Sequence, residues 1–176
     1  DSDIKNAMTA VGYENMTFPD TDVVRLRKEN MQLDLGGIGK GFAADEALKI
    51  FYTYGINKAL IDMGGDIVVG DPPPNKEHWT LAFYYYNEDG KEVAQKIKLK
   101  NQAVATSGDL YQFVEIDGIR YSHIVDPKTG MALRNNIQVT TIAPTATMAD
   151  GYASAFSVLG IAKSRQLLNS TKGLEA

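Results

Sequence analysis

Four glycines and a lysine lie close together between residues 34 and 41, where the sequence reads Asp-Leu-Gly-Gly-Ile-Gly-Lys-Gly. Glycine lets the backbone approach a ligand closely, and the amides at a helix N-terminus favour anions such as phosphate. Lys40 would add a positive charge. The spacing matches neither the P-loop nor the dinucleotide-binding fingerprint. A plain turn from a strand into a helix therefore remains the alternative.

A second candidate segment, residues 105–109, ends a predicted strand with Ala-Thr-Ser-Gly-Asp. The Ser107 hydroxyl and the Gly108 amide could bind a phosphate or a ring carbonyl. The alternative is a turn in which Ser107 and Asp109 bond their own backbone.

His123 is the candidate base, because a neutral imidazole near pH 7 can accept a proton from an attacking hydroxyl. It ends an apolar strand before the Asp126-Pro127 turn, whereas the other histidine, His78, lies in a polar loop. A strand histidine bonded to a carboxylate is the alternative for His123.

Asp150 and Ser154 are four residues apart in a predicted helix, so their oxygens lie on one helical face. A carboxylate and a hydroxyl suit Mg²⁺, which needs few protein ligands when phosphate oxygens complete its octahedron. The alternative is a capping box, with Thr147 as the N-cap and Asp150 three residues later.

The composition limits the class of protein. The chain has 176 residues, is 44% hydrophobic and 23% charged, and carries a net charge of −4. These values predict one globular domain spanning residues 1–176, with no basic surface for nucleic acid. The chain has no cysteine, which excludes disulfides and thiolate chemistry. The apolar runs are too short for a membrane-spanning helix.

Hydrophobic spacing predicts the elements that position these residues. Helices are predicted at residues 4–11, 38–51, 148–159 and 161–169. Strands are predicted at residues 23–27, 31–35, 58–63 continuing through 66–69, 79–86, 93–99, 103–106, 111–116, 120–125 and 138–143. Because strands outnumber helices and come mostly as hairpins, we expect an α+β fold with a largely antiparallel sheet, flanking helices and one strand–glycine loop–helix unit.

Five motifs follow one another in a recognisable order, at residues 34–43, 61–67, 103–109, 121–130 and 149–155. Together they resemble the ApbE family of FAD:protein FMN transferases, and the resemblance runs along nearly the whole chain. It implies a Mg²⁺-dependent enzyme that transfers FMN from FAD to a threonine or serine hydroxyl of an acceptor flavoprotein and releases AMP. Hydrolysis of FAD to FMN and AMP, or FAD binding without transfer, are the alternative functions.

The resemblance also implies roles for individual residues. Asp150 and Ser154 would bind Mg²⁺ through their side chains, the Gly37 carbonyl would be a third ligand, and His123 would be the base. The residues implied to hold FAD are Gly36, Gly37, Lys40, Ser107 and Gly108. Family members usually have threonine at the position of Ser154, which keeps the hydroxyl but adds a methyl that restrains χ1.

The resemblance finally implies a location and a place within a longer protein. Family members carry a further N-terminal portion, so we expect this chain to be the C-terminal part of such a protein. Many members have an export signal and a lipid-anchor cysteine, neither of which occurs in this sequence. The expected location is the bacterial cell envelope, on the periplasmic side of the inner membrane or otherwise outside the cytoplasm. The membrane would be contacted only through such an anchor.

Overall fold

The computed structural model describes residues 2–87, 89–108 and 112–176. In chain order the elements are α1 Ser2–Met8, a short 3-10 turn Tyr13–Asn15, β1 Met16–Asp20, β2 Val23–Leu26, α2 Gly39–Thr53, β3 Leu60–Asp62, β4 Ile67–Val69, β5 Trp79–Tyr86, β6 Glu92–Leu99, β7 Gln102–Ser107, β8 Phe113–Ile116, β9 Ile119–Ser122, β10 Val139–Ala143 and α3 Ala146–Ser170.

A four-stranded antiparallel sheet, ordered β10-β7-β4-β3, forms the centre of the fold. Side chains alternate between the two faces of β7, as expected for a strand. Ala103 and Ala105 belong to the apolar cluster shared with the helices, whereas Val104 packs into a second cluster with Val69 and Leu99. The small alanine side chains let α3 lie close to the sheet.

Helices α2 and α3 pack against each other and cover one face of this sheet. Buried residues of α3 recur at helical spacing and form one apolar stripe that includes Ala146, Ala149, Ala153 and Phe156. Gly160 has φ 72° and ψ 170° and interrupts the helix. This break confirms the prediction of two helical segments separated near residue 160.

The β5–β6 ribbon packs against the opposite face of the sheet, where Leu81 and Ile97 join the second apolar cluster. Two further ribbons pair β1 with β2 and β8 with β9. The architecture confirms the predicted α+β class with antiparallel strands and flanking helices. Among the described residues, no helix is both long and apolar enough to cross a membrane.

The prediction of a strand at residues 31–35 was wrong, because these residues form an irregular segment before α2. The expected strand–glycine loop–helix unit therefore consists only of a loop and a helix. Leu33 and Leu35 are 49% and 58% exposed. Alternation of apolar residues favours an extended chain, but a strand also needs a pairing partner. None of the described strands pairs with this segment.

The sequence predicted that residues 66–69 continue the preceding strand. In the structure they turn back and pair with it. Gly64 and Gly65 have φ values of 72° and 98°, which glycine adopts without strain. As a result β3 and β4 form an antiparallel hairpin, in which Asp62 pairs with Ile67. This turn directs Asp66 toward the start of α2.

Several predicted boundaries were too long. Helix α1 ends at Met8 rather than at residue 11, and β9 ends at Ser122 rather than at residue 125. Beyond β9, Val125 makes only an isolated bridge to Ala132. Tyr111, the first residue of the predicted strand 111–116, lies outside the described residues.

Candidate functional site

The start of α2 and the first turns of α3 are joined by a buried hydrogen bond. The Asp150 carboxylate, in a residue that is 5% exposed, accepts from the Gly41 amide through Oδ2 at 3.0 Å. The two residues are 109 positions apart in the sequence. The carboxylate therefore satisfies one of the unpaired amides at the N-terminus of α2.

Gly41 permits this contact because no side chain fits at its position. A Cβ placed on Gly41 would lie 2.2 Å from the Ala146 carbonyl oxygen and 2.8 Å from the Thr147 nitrogen. Both neighbours are backbone atoms at the start of α3, so neither can rotate away. The absence of a side chain is what brings the Asp150 carboxylate within reach of α2.

Ser154 faces the glycine loop one helical turn after Asp150. A Cβ placed on Gly37 would lie 3.5 Å from both Cβ and Oγ of Ser154. No side-chain hydrogen bond involves the Ser154 hydroxyl within the described ranges. The structure thus brings Asp150, Ser154 and Gly37 together in one corner, as their predicted roles require. Metal binding by these three residues stays a prediction.

Lys40 reaches into the same corner and pairs with a buried acid. Its Nζ lies 2.8 Å from Oδ2 of Asp66, whose side chain is 2% exposed. Asp66 Oδ2 makes no hydrogen bond of good geometry within the described part of the chain, so the Lys40 contact is an ion pair. Burial raises the pKa of Asp66; the Lys40 ammonium lowers it and the Asp150 carboxylate raises it.

Asp66 was given no role from the sequence, although it lies within the motif at residues 61–67. The signal was an acid placed directly after a glycine pair, where a turn can direct it inward. Its partner Lys40 was expected to hold phosphate. The lysine side chain is 52% exposed while paired with Asp66, so the predicted phosphate contact remains open to it.

The charges in this corner suit a divalent cation. The Asp150 carboxylate is close enough to contribute to the raised pKa of Asp66, and Lys40 supplies one positive charge against two carboxylates. The oxygens of a carboxylate, a hydroxyl and a backbone carbonyl are hard ligands of the kind that Mg²⁺ prefers. In the described ranges, no three His, Cys, Asp or Glu residues form a metal-binding group. Water or substrate phosphate oxygens would therefore complete the ligand set of a metal bound here.

Several amides of the glycine loop are already used within the protein. The Gly36 amide donates to Asp34 Oδ1 at 2.8 Å, and the Gly39 amide donates to the Leu35 carbonyl at 2.7 Å. With Gly41 bound to Asp150, the N-terminus of α2 is capped by a carboxylate of the protein itself. Any contact of Gly36 with a nucleotide therefore has to use atoms other than its amide.

The capping-box alternative for Asp150 was wrong. The N-cap of α3 is Thr145, whose side chain accepts from the Met148 amide at 3.2 Å. Thr147 is already the second helical residue, and its hydroxyl donates to Asp45 at 2.6 Å. The Asp150 carboxylate is consequently directed at another helix and not at the start of its own.

His123 follows β9 and is exposed. Its Nδ1 lies 3.0 Å from the Gln112 carbonyl oxygen, so its partner is a backbone carbonyl and not the carboxylate that the alternative required. Since a carbonyl can only accept, Nδ1 carries the proton in the neutral ring and Nε2 is left as the proton acceptor. Among the described residues, no hydrogen bond or ion pair joins His123 to Asp150 or Lys40.

A cleft of about 400 Å³ lies between the β5–β6 ribbon and the sheet. Gly108 and the Gly64–Gly65 turn contribute backbone to its lining, and Phe83 and Val104 contribute apolar side chains. Gly65 of this lining directly precedes Asp66, the residue that pairs with Lys40.

Ser107 is the last residue of β7 and pairs with Val139, which places it in the strand and not in a separate turn. Asp109, its partner in the alternative interpretation, lies outside the described residues. The proposed contact of Ser107 and Gly108 with FAD stays a prediction.

An antiparallel sheet is covered by two helices, and a buried aspartate of one helix binds the glycine-rich start of the other. This arrangement defines the class of fold. The sequence matches the ApbE family over residues 1–176. The chain therefore belongs to the ApbE family.

Similar proteins come from several bacteria. The FAD:protein FMN transferase of Treponema pallidum is 35% identical over 162 residues, which cover 87% of this chain and 45% of the relative. The FAD:protein FMN transferase of Vibrio cholerae is 32% identical over 157 residues, which cover 88% of this chain and 47% of the relative.

Solved structures show the same fold. The ApbE protein of Thermotoga maritima superposes with a TM-score of 0.82 at 34% identity, covering 96% of this chain and 54% of that one. The flavin transferase ApbE of Vibrio cholerae superposes with a TM-score of 0.87 at 27% identity, covering 98% of this chain and 54% of that one. The chain thus spans about half the length of the relatives it matches.

Proposed function

We propose that this chain forms the metal- and pyrophosphate-binding part of a flavin transferase, which moves FMN from FAD to a threonine or serine hydroxyl of an acceptor flavoprotein. The observation that supports this proposal is the buried contact between Asp150 and Gly41, which joins the glycine loop to α3. Relatives that share this chain's sequence along most of its length are FAD:protein FMN transferases.

In this proposal the side chains of Asp150 and Ser154, together with the Gly37 carbonyl, hold Mg²⁺. When bound there, the ion would supply charge neutralisation for the pyrophosphate oxygens and for the departing AMP. Asp150 can bind the ion while it caps α2, because Oδ2 accepts from the Gly41 amide and Oδ1 is left for a second partner.

Lys40 adds a second positive charge in this proposal. Its ammonium is anchored by Asp66 at 2.8 Å, and the lysine side chain is half exposed, so Lys40 can contact a phosphate without leaving its partner. A lysine ammonium has three donors, which allows it to bind a carboxylate and phosphate oxygens together.

His123 acts as the base in the transfer step. Nε2 takes the proton of the acceptor hydroxyl, the hydroxyl oxygen bonds to the phosphorus of the FMN half, and the bond from that phosphorus to the pyrophosphate bridging oxygen breaks. AMP leaves with that oxygen. The contact of Nδ1 with the Gln112 carbonyl holds the imidazole in the tautomer that this role needs.

The cleft between the β5–β6 ribbon and the sheet takes one of the two ring systems of FAD in this proposal. Its apolar walls, which include Phe83 and Val104, suit the face of a flat ring, and its glycine backbone allows close approach. The acceptor flavoprotein would reach His123, which is exposed. For the location, we propose the bacterial cell envelope.

The test incubates the protein with FAD, Mg²⁺ and an acceptor flavoprotein that carries a threonine target, and measures AMP by chromatography and FMN addition by mass spectrometry. We expect both products, and we expect Asp150→Ala and His123→Ala each to lower their rate by about a hundredfold or more. His78→Ala and Glu46→Gln are matched controls that should keep the wild-type rate, because His78 is the other histidine and Glu46 is a surface acid.

Each of the other outcomes indicates a different conclusion. AMP release without an FMN adduct would indicate a hydrolase, and FAD binding without AMP release would indicate a binding module. Unchanged rates in both Asp150→Ala and His123→Ala would remove the site assignment.

A further inference from the structure

The N-terminus of α3 is held by a carboxylate from α2. Asp45 accepts from the amides of Ala146 and Thr147 at 2.8 and 2.9 Å, and from the Thr147 hydroxyl at 2.6 Å. These amides belong to the first two residues of α3 and have no partner inside their own helix. A negative charge at this end of a helix is also favoured by the helix dipole.

The opposite contact exists at the N-terminus of α2. Its N-cap residue Ile38 makes no side-chain cap, and the Gly41 amide is instead bound by Asp150 from α3. Each helix therefore supplies the carboxylate that caps the other. Asp45 lies one helical turn after Gly41, so both contacts lie along the same stretch of the helix–helix contact.

We propose that Asp45 is a positioning residue for the candidate metal site, acting through the orientation of α3 and not through contact with a ligand. This inference rests on the proposed function. The two reciprocal contacts form a closed link between α2 and α3, which fixes where Asp150 Oδ1 and the Ser154 hydroxyl point relative to Gly37. Without Asp45, only the hydrogen bond between Gly41 and Asp150 remains of these two contacts.

Thr145 provides a matched comparison, because its side-chain cap joins it to its own helix and no described hydrogen bond of its side chain reaches α2. Its hydroxyl accepts from the Met148 amide at 3.2 Å. Removing it takes away a local cap of α3, which is worth about 1 kcal/mol of helix stability. Asp45 and Thr145 should therefore differ in their effect on the metal site, even where their effects on folding are alike.

The experiment measures binding of Mn²⁺ alone, as a probe for Mg²⁺, by electron paramagnetic resonance of the protein without flavin. Oxygen ligands of this kind bind both metals. We expect Asp45→Ala to raise the Kd for Mn²⁺ about tenfold, as for other residues that orient metal ligands, while Thr145→Ala stays within about twofold of the wild type. Glu46→Gln, which removes a neighbouring acid, should also stay near the wild-type Kd.

Asp45→Asn keeps the side-chain shape but replaces one acceptor oxygen with a donor group, so we expect a smaller rise in the Kd. If Asp45→Ala does not fold, the Kd of Asp45→Asn for Mn²⁺ tests the positioning role. Circular dichroism and the urea midpoint identify the folded variants.

Asp150→Ala separates failure of this inference from failure of the proposed function. If Asp150→Ala binds Mn²⁺ like the wild type, or the wild type binds none, the metal site and the inference both fail. If Asp150→Ala loses binding but folded Asp45 variants keep the wild-type Kd, the positioning role alone is overturned. An equal loss in Thr145→Ala would also overturn it, because helix capping would then explain the effect.

Discussion

Replacing Gly41 with alanine should separate the two helices that form the candidate site. The new Cβ would lie 2.2 Å from the Ala146 carbonyl oxygen, whereas ordinary contacts begin near 3.4 Å. The new Cβ would therefore lie more than 1 Å too close to this oxygen. Because the obstacle is backbone, the strain can be relieved only by moving α2 away from α3, and this movement stretches the Gly41–Asp150 hydrogen bond.

The expected loss of stability follows from three contributions. Overpacking a dense contact costs about 2 kcal/mol, and losing a hydrogen bond to a buried carboxylate costs about 2 kcal/mol more. Alanine returns about 1 kcal/mol through its better helix propensity. We therefore expect Gly41→Ala to lower the free energy of unfolding by about 3 kcal/mol, a large share of the 5–15 kcal/mol that is typical of a domain.

The matched control is Gly39→Ala, in the first turn of the same helix. A Cβ at Gly39 meets nothing within 4 Å, so the substitution should leave stability unchanged or raise it by about 0.5 kcal/mol. Urea unfolding followed by circular dichroism measures both variants, and equal m-values would show that the unfolded states are comparable. A Gly41→Ala variant within about 1 kcal/mol of the wild type would refute the close approach of the helices.

Further predictions concern the buried ion pair and the cleft. Burial raises the pKa of Asp66 above 3.8, so ionising this carboxyl costs folding free energy, and the wild type should lose stability relative to Asp66→Asn as pH rises above about 4. Lys40→Met should enlarge that loss, because the ammonium that favours the ionised carboxyl is gone. The urea midpoints of the three proteins are measured across pH, and the same pH dependence in all three would contradict the pairing. Gln138 donates to the Tyr84 carbonyl at 2.9 Å and ties the β5–β6 ribbon to the sheet. Gln138→Ala should weaken FAD binding about fivefold in a fluorescence titration, and an unchanged Kd would exclude the cleft.

Local patterns in the sequence predicted much of the fold. The β5–β6 hairpin follows from two alternating segments around a turn in which Asn87 Oδ1 accepts from the Asp89 and Lys91 amides. Helix α2 was predicted at residues 38–51 and runs from Gly39 to Thr53, shortly before Gly55, which has φ 75°. Residues 31–35 show the limit of such patterns, since alternation alone does not provide a pairing strand.

The sequence named several residues of the site but neither Asp45 nor Asp66, and it did not show which residues are in contact. The spacing of Asp150 and Ser154 fixes their common helical face, because helix geometry repeats within a few residues. Residue types and spacing made the glycine loop, Lys40 and His123 candidates, and the family resemblance implied their roles.

Only the tertiary structure decided which groups meet. The Gly41–Asp150 bond spans 109 positions, and the pairing of Lys40 with Asp66 depends on a turn that folds β4 back on β3. Capping by Asp45 likewise depends on how closely α2 approaches α3. Periodicity and turn propensity act over a few neighbouring residues, whereas the partner of a buried carboxylate is set by the packing of elements that are distant in the chain.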